Sequence, residues 1–160
     1  MRTVTVLSSA ASLMEVHAKI NNTIEVCGLL SGLYTAQGNI TIDGFIPLDN
    51  QANAAALATP FPEAQLAATN QIFQNDKHNV GWFHSHPHNL GIPSNIDFNE
   101  AEKGHLNYLW AIYGGKDRLI RYNYWNGRSF ERMEVTECQS RQELLELLAL
   151  EESDHIFADI

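Results

Sequence analysis

Apolar and polar residues alternate along residues 2–7 and 39–48, and residues 26–33 form a mostly apolar run. Alternation is typical of a half-buried strand. A short apolar run is typical of a strand that is buried on both faces. We therefore predict strands over these three segments, with a turn near Gly38 that joins the second and third of them in chain order. Residues 79–83 predict a fourth strand, which leads directly into a pair of histidines.

The first helix is predicted from Leu13, Val16 and Ile20, which recur at helical spacing. Ser12 and Glu15 form an S-x-x-E pattern, which is typical of a helix N-terminus. The sequence therefore predicts a helix that begins at this pattern.

A second helix is predicted to begin at Pro62, with Glu63 in its first turn, where a carboxylate is favoured by the helix dipole. Leu66, Ile72 and Phe73 are predicted to form its core face. The segment before it, residues 49–60, is small and polar and is predicted to be a loop.

Ser94 and Asp97 form a second helix-start pattern, S-x-x-D, after the predicted fourth strand. Three closing strands are predicted over residues 106–113, 118–124 and 129–135, with glycine-containing turns between them. A leucine-rich acidic helix follows at residues 142–150. Strands and helices that do not alternate strictly indicate an α+β fold, and 160 residues without repeats indicate one domain.

The charge of the chain excludes some classes of partner. There are 19 acidic and 10 basic residues, which give a formal net charge of −9. Nucleic acids and anionic membranes require a basic surface, so neither is expected as a partner. Cys27 and Cys138 are far apart and form no C-x-x-C pair, which excludes a cysteine zinc ribbon. We expect a cytoplasmic protein for three reasons: the thiols are free, the N-terminus lacks a signal-peptide core, and the sequence has no apolar run of about 20 residues.

His84 and His86 are the strongest candidates for metal ligands. Side chains alternate along a strand, so both imidazoles lie on one face, and Asp97 returns from the next element. Three protein ligands with an open fourth position are how catalytic zinc is held. The alternative is that the histidines are ordinary strand-end residues and that Asp97 only stabilises the start of its helix.

Three further residues have two interpretations each. Ser94 is either a helix N-cap or a hydroxyl that stabilises a developing oxyanion, and both roles are compatible. Glu25 is either an exposed residue before a strand or the proton carrier that a zinc hydrolase requires, since the chain contains no H-E-x-x-H motif. His88 is either a spare ligand or substrate contact, or a solvated loop residue.

This part of the chain resembles the signature H-x-H-x7-S-x2-D of the JAMM (MPN+) metalloproteases. The matching residues are His84 and His86, then Ser94 after seven residues, and Asp97 after two more. Residues 25–32 are similar to the glutamate segment of that family, E-x-C-G-L-L-x-G. The resemblance is to the compact prokaryotic type and covers roughly residues 3–136. We therefore expect a metalloprotease domain over residues 1–136 and a C-terminal helix or tail over 137–160, packed on or extending the same domain.

The resemblance implies an α+β, cytidine-deaminase-like fold with a curved mixed β-sheet flanked by helices. It implies Zn²⁺ on His84, His86 and Asp97, with a water as the fourth ligand. Glu25 would take a proton from that water and give it to the leaving amine, and Ser94 would stabilise the tetrahedral intermediate.

The resemblance also implies the substrate class: a peptide or isopeptide bond after the C-terminal tail of a ubiquitin-like or sulfur-carrier-like protein. A deubiquitinase-like deconjugase is therefore expected, with its oligomeric state open and a homodimer among the options. Two rival functions remain, namely a catalytically silent scaffold or binding module and a zinc amidase that acts on small molecules. A deaminase is disfavoured because the chain lacks the H-x-E and P-C-x-x-C motifs.

Overall fold

Within residues 2–50, 60–104 and 108–158, which the computed structural model describes (with side chains to residue 150), the chain forms eight strands and four helices. In chain order these elements are β1 (Thr3–Leu7), α1 (Ser8–Ile20), β2 (Cys27–Tyr34), β3 (Ile40–Leu48), α2 (Pro62–Gln74), β4 (His78–His86), α3 (Asn95–Gly104), β5 (Tyr108–Gly114), β6 (Leu119–Trp125), β7 (Phe130–Arg132), β8 (Glu134–Cys138) and α4 (Arg141–Ala158).

The strands form one mixed sheet in the order β7-β6-β5-β4-β2-β3-β1-β8. The pairs β4/β5, β1/β3 and β1/β8 are parallel, and the others are antiparallel. The sheet is curved and nearly closed, and helices flank it. The predicted α+β fold with a curved mixed sheet is therefore confirmed.

The first four predicted strands are confirmed as β1 to β4. The hairpin of β2 and β3 turns at Gly38, whose φ of 81° is a conformation that glycine adopts at little cost. The predicted loop over residues 49–60 lies mostly outside the described residues.

The predicted strand over residues 129–135 is in fact two strands at opposite edges of the sheet. β7 pairs with β6, and β8 pairs with β1. Only Met133 separates them; its side chain is buried, and its N–H donates to the carbonyl of Tyr122 over 2.9 Å. The prediction of a single strand is wrong because the sheet curves until its two edges meet at this residue.

The start predicted for the first helix differs from the structure. α1 begins at Ser8, directly after β1, so the predicted start at Ser12 is wrong and that serine lies inside the helix. The face that packs on the sheet consists of Met14 and small residues such as Ala10 and Ala18, because α1 runs close to the strands.

The second helix begins at Pro62 as predicted, but it packs through a narrow stripe. Ala68 and Ile72 are its buried residues, one turn apart. Leu66 and Phe73 are 63% and 55% exposed, so their predicted place in the core is wrong. α2 covers the sheet with one edge only and leaves Leu66 available to a neighbouring cavity.

The core lies on both faces of the central strands. Along β2, Leu30 faces the cluster under α1, whereas Cys27 and Leu29 face the cluster under α2. Because Cys27 lies opposite His84 in the antiparallel pair of β2 and β4, the His84 side chain points to the α2 face. The predicted burial of Cys27 is confirmed.

The C-terminal helix is longer than the predicted 142–150 segment and packs through Leu144, which is buried. β8 continues to Cys138, across the predicted division after residue 136, and that division remains a prediction. None of the helices in the described part of the chain has the length and apolar character that would let it cross a membrane.

Candidate metal centre

The end of β4 carries the two candidate histidines on one face of the sheet. His84 is buried and His86 is partly buried, and their Nε2 atoms lie 3.2 Å apart. The two-residue period of a strand brings both imidazoles to the same side, as predicted.

Asp97 comes to these histidines from the first turn of α3. The Ser94 N–H donates to Asp97 Oδ2 over 2.9 Å, and the Asp97 N–H donates to Ser94 Oγ over 3.1 Å. This reciprocal capping box confirms the predicted helix start and holds the carboxylate in one orientation.

The three side chains lie close enough together to share one metal ion. His84 Nε2 lies 3.0 Å from Asp97 Oδ1, and His86 Nε2 lies 3.2 Å from Asp97 Oδ2. Ligand atoms about 2.1 Å from a tetrahedral zinc ion stand about 3.4 Å from one another. One ligand atom from each residue falls within 4.8 Å of the other two, so two imidazoles and a carboxylate form a set that fits a divalent metal.

Hydrogen bonding fixes one of the two imidazoles for metal binding. His86 Nδ1 lies 3.0 Å from the carbonyl oxygen of Leu90, which can only accept, so Nδ1 carries the hydrogen and Nε2 keeps its lone pair. His84 Nδ1 is buried and has no hydrogen-bond partner among the described residues. The His84 ring instead packs edge-to-face on Trp110, with 5.7 Å between ring centroids.

Burial and charge favour a cation among these residues. Burial lowers the pKa of His84, which keeps its imidazole neutral as a metal ligand requires. Burial raises the pKa of Asp97, but the two imidazoles lower it by more, so the carboxylate is ionised. Burial lowers the pKa of His86, but Asp97 and the Leu90 carbonyl raise it by more. The pair of His86 and Asp97 therefore attracts positive charge.

Glu25 stands beside the cluster, two residues before β2. Its side chain is buried, and Oε1 lies 3.8 Å from His84 Nε2. Burial raises the pKa of Glu25 to about 8; His86 opposes this rise and Asp97 adds to it. A carboxyl with this pKa exchanges protons near neutral pH, as a general acid–base does.

The main chain at Glu25 is held from two sides. Asn50 Nδ2 donates to the carbonyl of Glu25 over 2.7 Å. The next residue, Val26, donates its N–H to Ser85 Oγ and accepts from the Ser85 N–H, each over 3.0 Å. Sequence reasoning missed Ser85, although its place between the two histidines puts it on the opposite face of β4, which packs against the core.

The loop after His86 packs against the turn after β5. The Gly115 N–H donates to the carbonyl of His86 over 2.9 Å, and a Cβ on Gly115 would lie 1.9 Å from the Pro87 carbonyl oxygen. A side chain at this position therefore displaces the loop that carries the second histidine. His88 is exposed and lies outside the three-residue cluster, as a solvated loop residue does.

Two cavities flank the ligand cluster, and Glu25 lines both. The larger, of about 640 Å³, lies toward α2 and α3. Its walls include Leu29, Leu66, Trp82 and Trp110. The smaller, of about 410 Å³, is more polar and is lined by residues that include Asn89, Ser94 and Lys116.

Comparison with known proteins places the chain in a family. Residues 8–133 match the family model described as prokaryotic homologs of the JAB domain. A desampylase from Haloferax volcanii is 29% identical over 112 residues, which are 69% of this chain and 76% of that protein. COP9 signalosome complex subunit 5 from Drosophila melanogaster is 35% identical over 78 residues, 46% of this chain but only 24% of that protein.

The fold has a structural counterpart as well. A solution structure of a protein from Desulfitobacterium hafniense aligns with a TM-score of 0.75 at 20% identity and covers 88% of this chain and 97% of its own. At this identity the alignment speaks for the fold alone. The match of the family model over most of the sequence is more specific, and the chain belongs to the prokaryotic JAB-domain family.

Proposed function

We propose that the protein is a zinc-dependent metalloprotease that cleaves the peptide or isopeptide bond after the C-terminal tail of a ubiquitin-like or sulfur-carrier-like protein. One observation carries the proposal: a His-His-Asp cluster whose ligand atoms lie close enough to share one ion stands beside the buried carboxyl group of Glu25. The similarity to a desampylase supports a hydrolase within this family.

Each side chain of the cluster has a role in this proposal. His84, His86 and Asp97 would hold the zinc ion. Bound zinc would supply a Lewis acid that polarises the scissile carbonyl and lowers the pKa of water.

Glu25 and Ser94 would move and donate protons. Glu25 would accept a proton from the attacking water and return it to the leaving amine, for which its buried position, with Oε1 3.8 Å from His84 Nε2, is suited. Ser94 Oγ already accepts from the Asp97 N–H, but its own hydrogen remains available to donate to the developing oxyanion. The cavities on both sides of the cluster leave room for a chain to continue in two directions from the scissile bond.

The burial of Glu25 weighs against a silent scaffold. A buried ionisable group costs stability unless it is paired, and replacing it with an apolar residue of similar size is often neutral or stabilising. A binding module would have no use for an acid at this position. A metalloprotease, by contrast, requires an acid at this position, because its proton carrier must lie beside the metal ligands.

The test is cleavage of C-terminal fusions of ubiquitin-like and sulfur-carrier proteins, with mass spectrometry to locate the cut. Zinc-loaded wild type, chelated protein, Glu25→Gln and the exposed control Glu63→Gln would be compared. We expect a cut after the tail in wild type and the control. We expect turnover about 10²-fold to 10⁴-fold lower in Glu25→Gln, with zinc still bound.

Three results would contradict the proposal in distinguishable ways. Full activity of Glu25→Gln would exclude Glu25 as the proton carrier. Cleavage of small amides without cleavage of any fusion would indicate an amidase. Zinc-loaded, folded protein that cleaves neither class of substrate would indicate a scaffold.

A further inference from the structure

The sheet divides at Met133, between its two edge strands β7 and β8. β6 pairs with β7 only through Asn123–Trp125, and the last bond of this ladder joins the Met133 N–H to the Tyr122 carbonyl. Past Met133 the chain leaves β6 and pairs with β1 as β8. β6 and β8 therefore diverge from one point, and we call the space between them the fork.

Both sides of the fork are free strand edges. Among the described strands, β8 has β1 as its one partner, and residues 119–121 of β6 have only β5. A free edge presents unpaired N–H and C=O groups, which are a template for another strand. Four of the five residues of β8 are exposed, so neither face of this strand is covered along most of its length.

A cavity of about 350 Å³ occupies the fork. It shares no lining residue with the two cavities beside the metal cluster. Val6, Ala11 and Tyr122 are buried residues of its wall, whereas Leu119 and Val135 are 55% and 38% exposed. Apolar side chains thus line the cavity and also stand at its mouth.

The charges around the fork are separated by side. Arg118 and Arg132 lie on the β6 and β7 side, and Glu15 and Glu137 lie on the α1 and β8 side. Burial raises the pKa of Tyr122, and both glutamates raise it further, which is consistent with their proximity to the cavity wall. A segment that enters the fork meets cations along one edge and anions along the other.

We propose that the fork is a docking site for an extended segment of a protein partner, which adds to β8 as a strand. Such a segment places an apolar side chain against Val6 and Tyr122 and presents acidic and basic side chains to Arg118 and Glu137. Peptides that add to a sheet edge gain affinity from main-chain hydrogen bonds and specificity from alternate side chains.

The closed end of the fork selects this occupant over a second copy of the chain. The β8 edge of another molecule is preceded by β7 and followed by α4, and both accompany it to the edge. Because the fork closes at Met133, these elements of a second copy would meet β6 and β8 where the two strands converge. A single extended segment carries nothing on either side of its backbone and can enter.

The proposal is tested by selecting a randomised octapeptide library against the full chain, with counter-selection against Leu119→Lys/Val135→Lys. Both positions are exposed, so the double variant should fold, and unchanged circular dichroism and Tm would verify this. The matched control is Leu145→Lys, at a similarly exposed leucine of α4.

We expect enriched peptides with apolar residues at alternate positions. They should bind the double variant at least tenfold more weakly than wild type or the control, and Val135→Lys alone should give a smaller loss. They should also slow amide hydrogen exchange within β8. Failure of any peptide to enrich, or equal binding to the double variant, would overturn the proposal. Self-association that is lost in the double variant would overturn it too, in favour of a second copy.

Discussion

The Ser85 hydroxyl accepts a hydrogen bond from the Val26 N–H over 3.0 Å, and it thereby ties the main chain beside Glu25 to the strand that carries both histidines. The Ser85 N–H returns a bond to the Val26 carbonyl over the same distance. This pair of hydrogen bonds therefore sets the distance of 3.8 Å between Glu25 Oε1 and His84 Nε2. A side chain on the opposite face of β4 from the two histidines therefore fixes the position of Glu25, the proposed proton carrier.

Ser85→Ala should lower turnover more than it lowers zinc content. The substitution leaves the buried Val26 N–H unpaired, which costs about 1–3 kcal/mol of unfolding free energy and loosens the Glu25 segment. Steady-state kinetics on a cleavable fusion, with bound zinc by elemental analysis, would measure both effects.

Ser8→Ala is the matched control, because the buried Ser8 hydroxyl has no hydrogen-bond partner among the described residues. Ser85→Thr, which keeps the hydroxyl, should recover most of the activity. If turnover and zinc content of Ser85→Ala fell together, Ser85 would act on the ligands rather than on Glu25.

Asp97→Asn should weaken zinc binding by more than about tenfold while α3 stays in place. An asparagine preserves the size of the side chain and an oxygen that can accept from the Ser94 N–H, but it removes the charge that faces both imidazoles. Competition with a zinc-sensitive dye would give the affinity. Asp117→Asn, at a carboxylate paired with Arg121 away from the cluster, should bind zinc like wild type. Equal zinc affinity of wild type and Asp97→Asn would exclude Asp97 as a ligand.

Acid should destabilise the protein in part through His17. Its ring packs on Phe45, its Nε2 atom is buried without a hydrogen-bond partner among the described residues, and burial lowers its pKa. The unfolded chain therefore binds a proton near pH 6.5, and the folded chain binds one only at lower pH. The unfolding free energy should consequently fall as the pH drops below 6.5.

His17→Leu should flatten this dependence between pH 7 and pH 5, as measured by urea unfolding at each pH. The shared contribution of the metal-cluster histidines cancels when the variant is compared with wild type. A leucine at the exposed His78 serves as the control. An unchanged pH slope in His17→Leu would show that this imidazole titrates alike in both states.

Gly115→Ala should destabilise the fold and weaken metal binding together. The added Cβ would meet the Pro87 carbonyl oxygen at 1.9 Å. Because this oxygen belongs to the main chain and cannot rotate away, the loop after His86 must move. Overpacking of this kind costs about 1–3 kcal/mol. Gly104→Ala is the control, because its Cβ would have no atom of the described residues within 4 Å. Thermal unfolding with and without zinc would test this, and normal zinc affinity in Gly115→Ala would contradict it.

The parts of the candidate site that depend on local geometry could be predicted from the sequence. His84 and His86 share a face because a strand has a two-residue period, and Asp97 is oriented by a capping box that Ser94 completes. Glu25 is different, because only the pairing of β2 with β4 brings it to the cluster. Local pattern left its role open, and the family resemblance supplied it.

The errors in the fold have a common origin in tertiary packing. Leu66 and Phe73 have the helical spacing of core residues, but α2 lies on the sheet with only its Ala68 and Ile72 edge. The helix start was misplaced because α1 follows β1 without a turn, so Ser8 rather than Ser12 begins it. Spacing along one segment says which residues can share a face, and not which face another element covers.

The pairing of β1 with β8 joins the two ends of the domain and has a consequence for how the chain folds. On the ribosome β1 emerges before the other strands of the sheet, and its outer edge must wait until β8, the last of them, has been made. Contacts so distant in sequence slow folding, so this edge should form late. A chain that stops at residue 136 would lack the end of β8 and leave part of β1 open. Such a fragment would be prone to pair with its neighbours during synthesis and to aggregate.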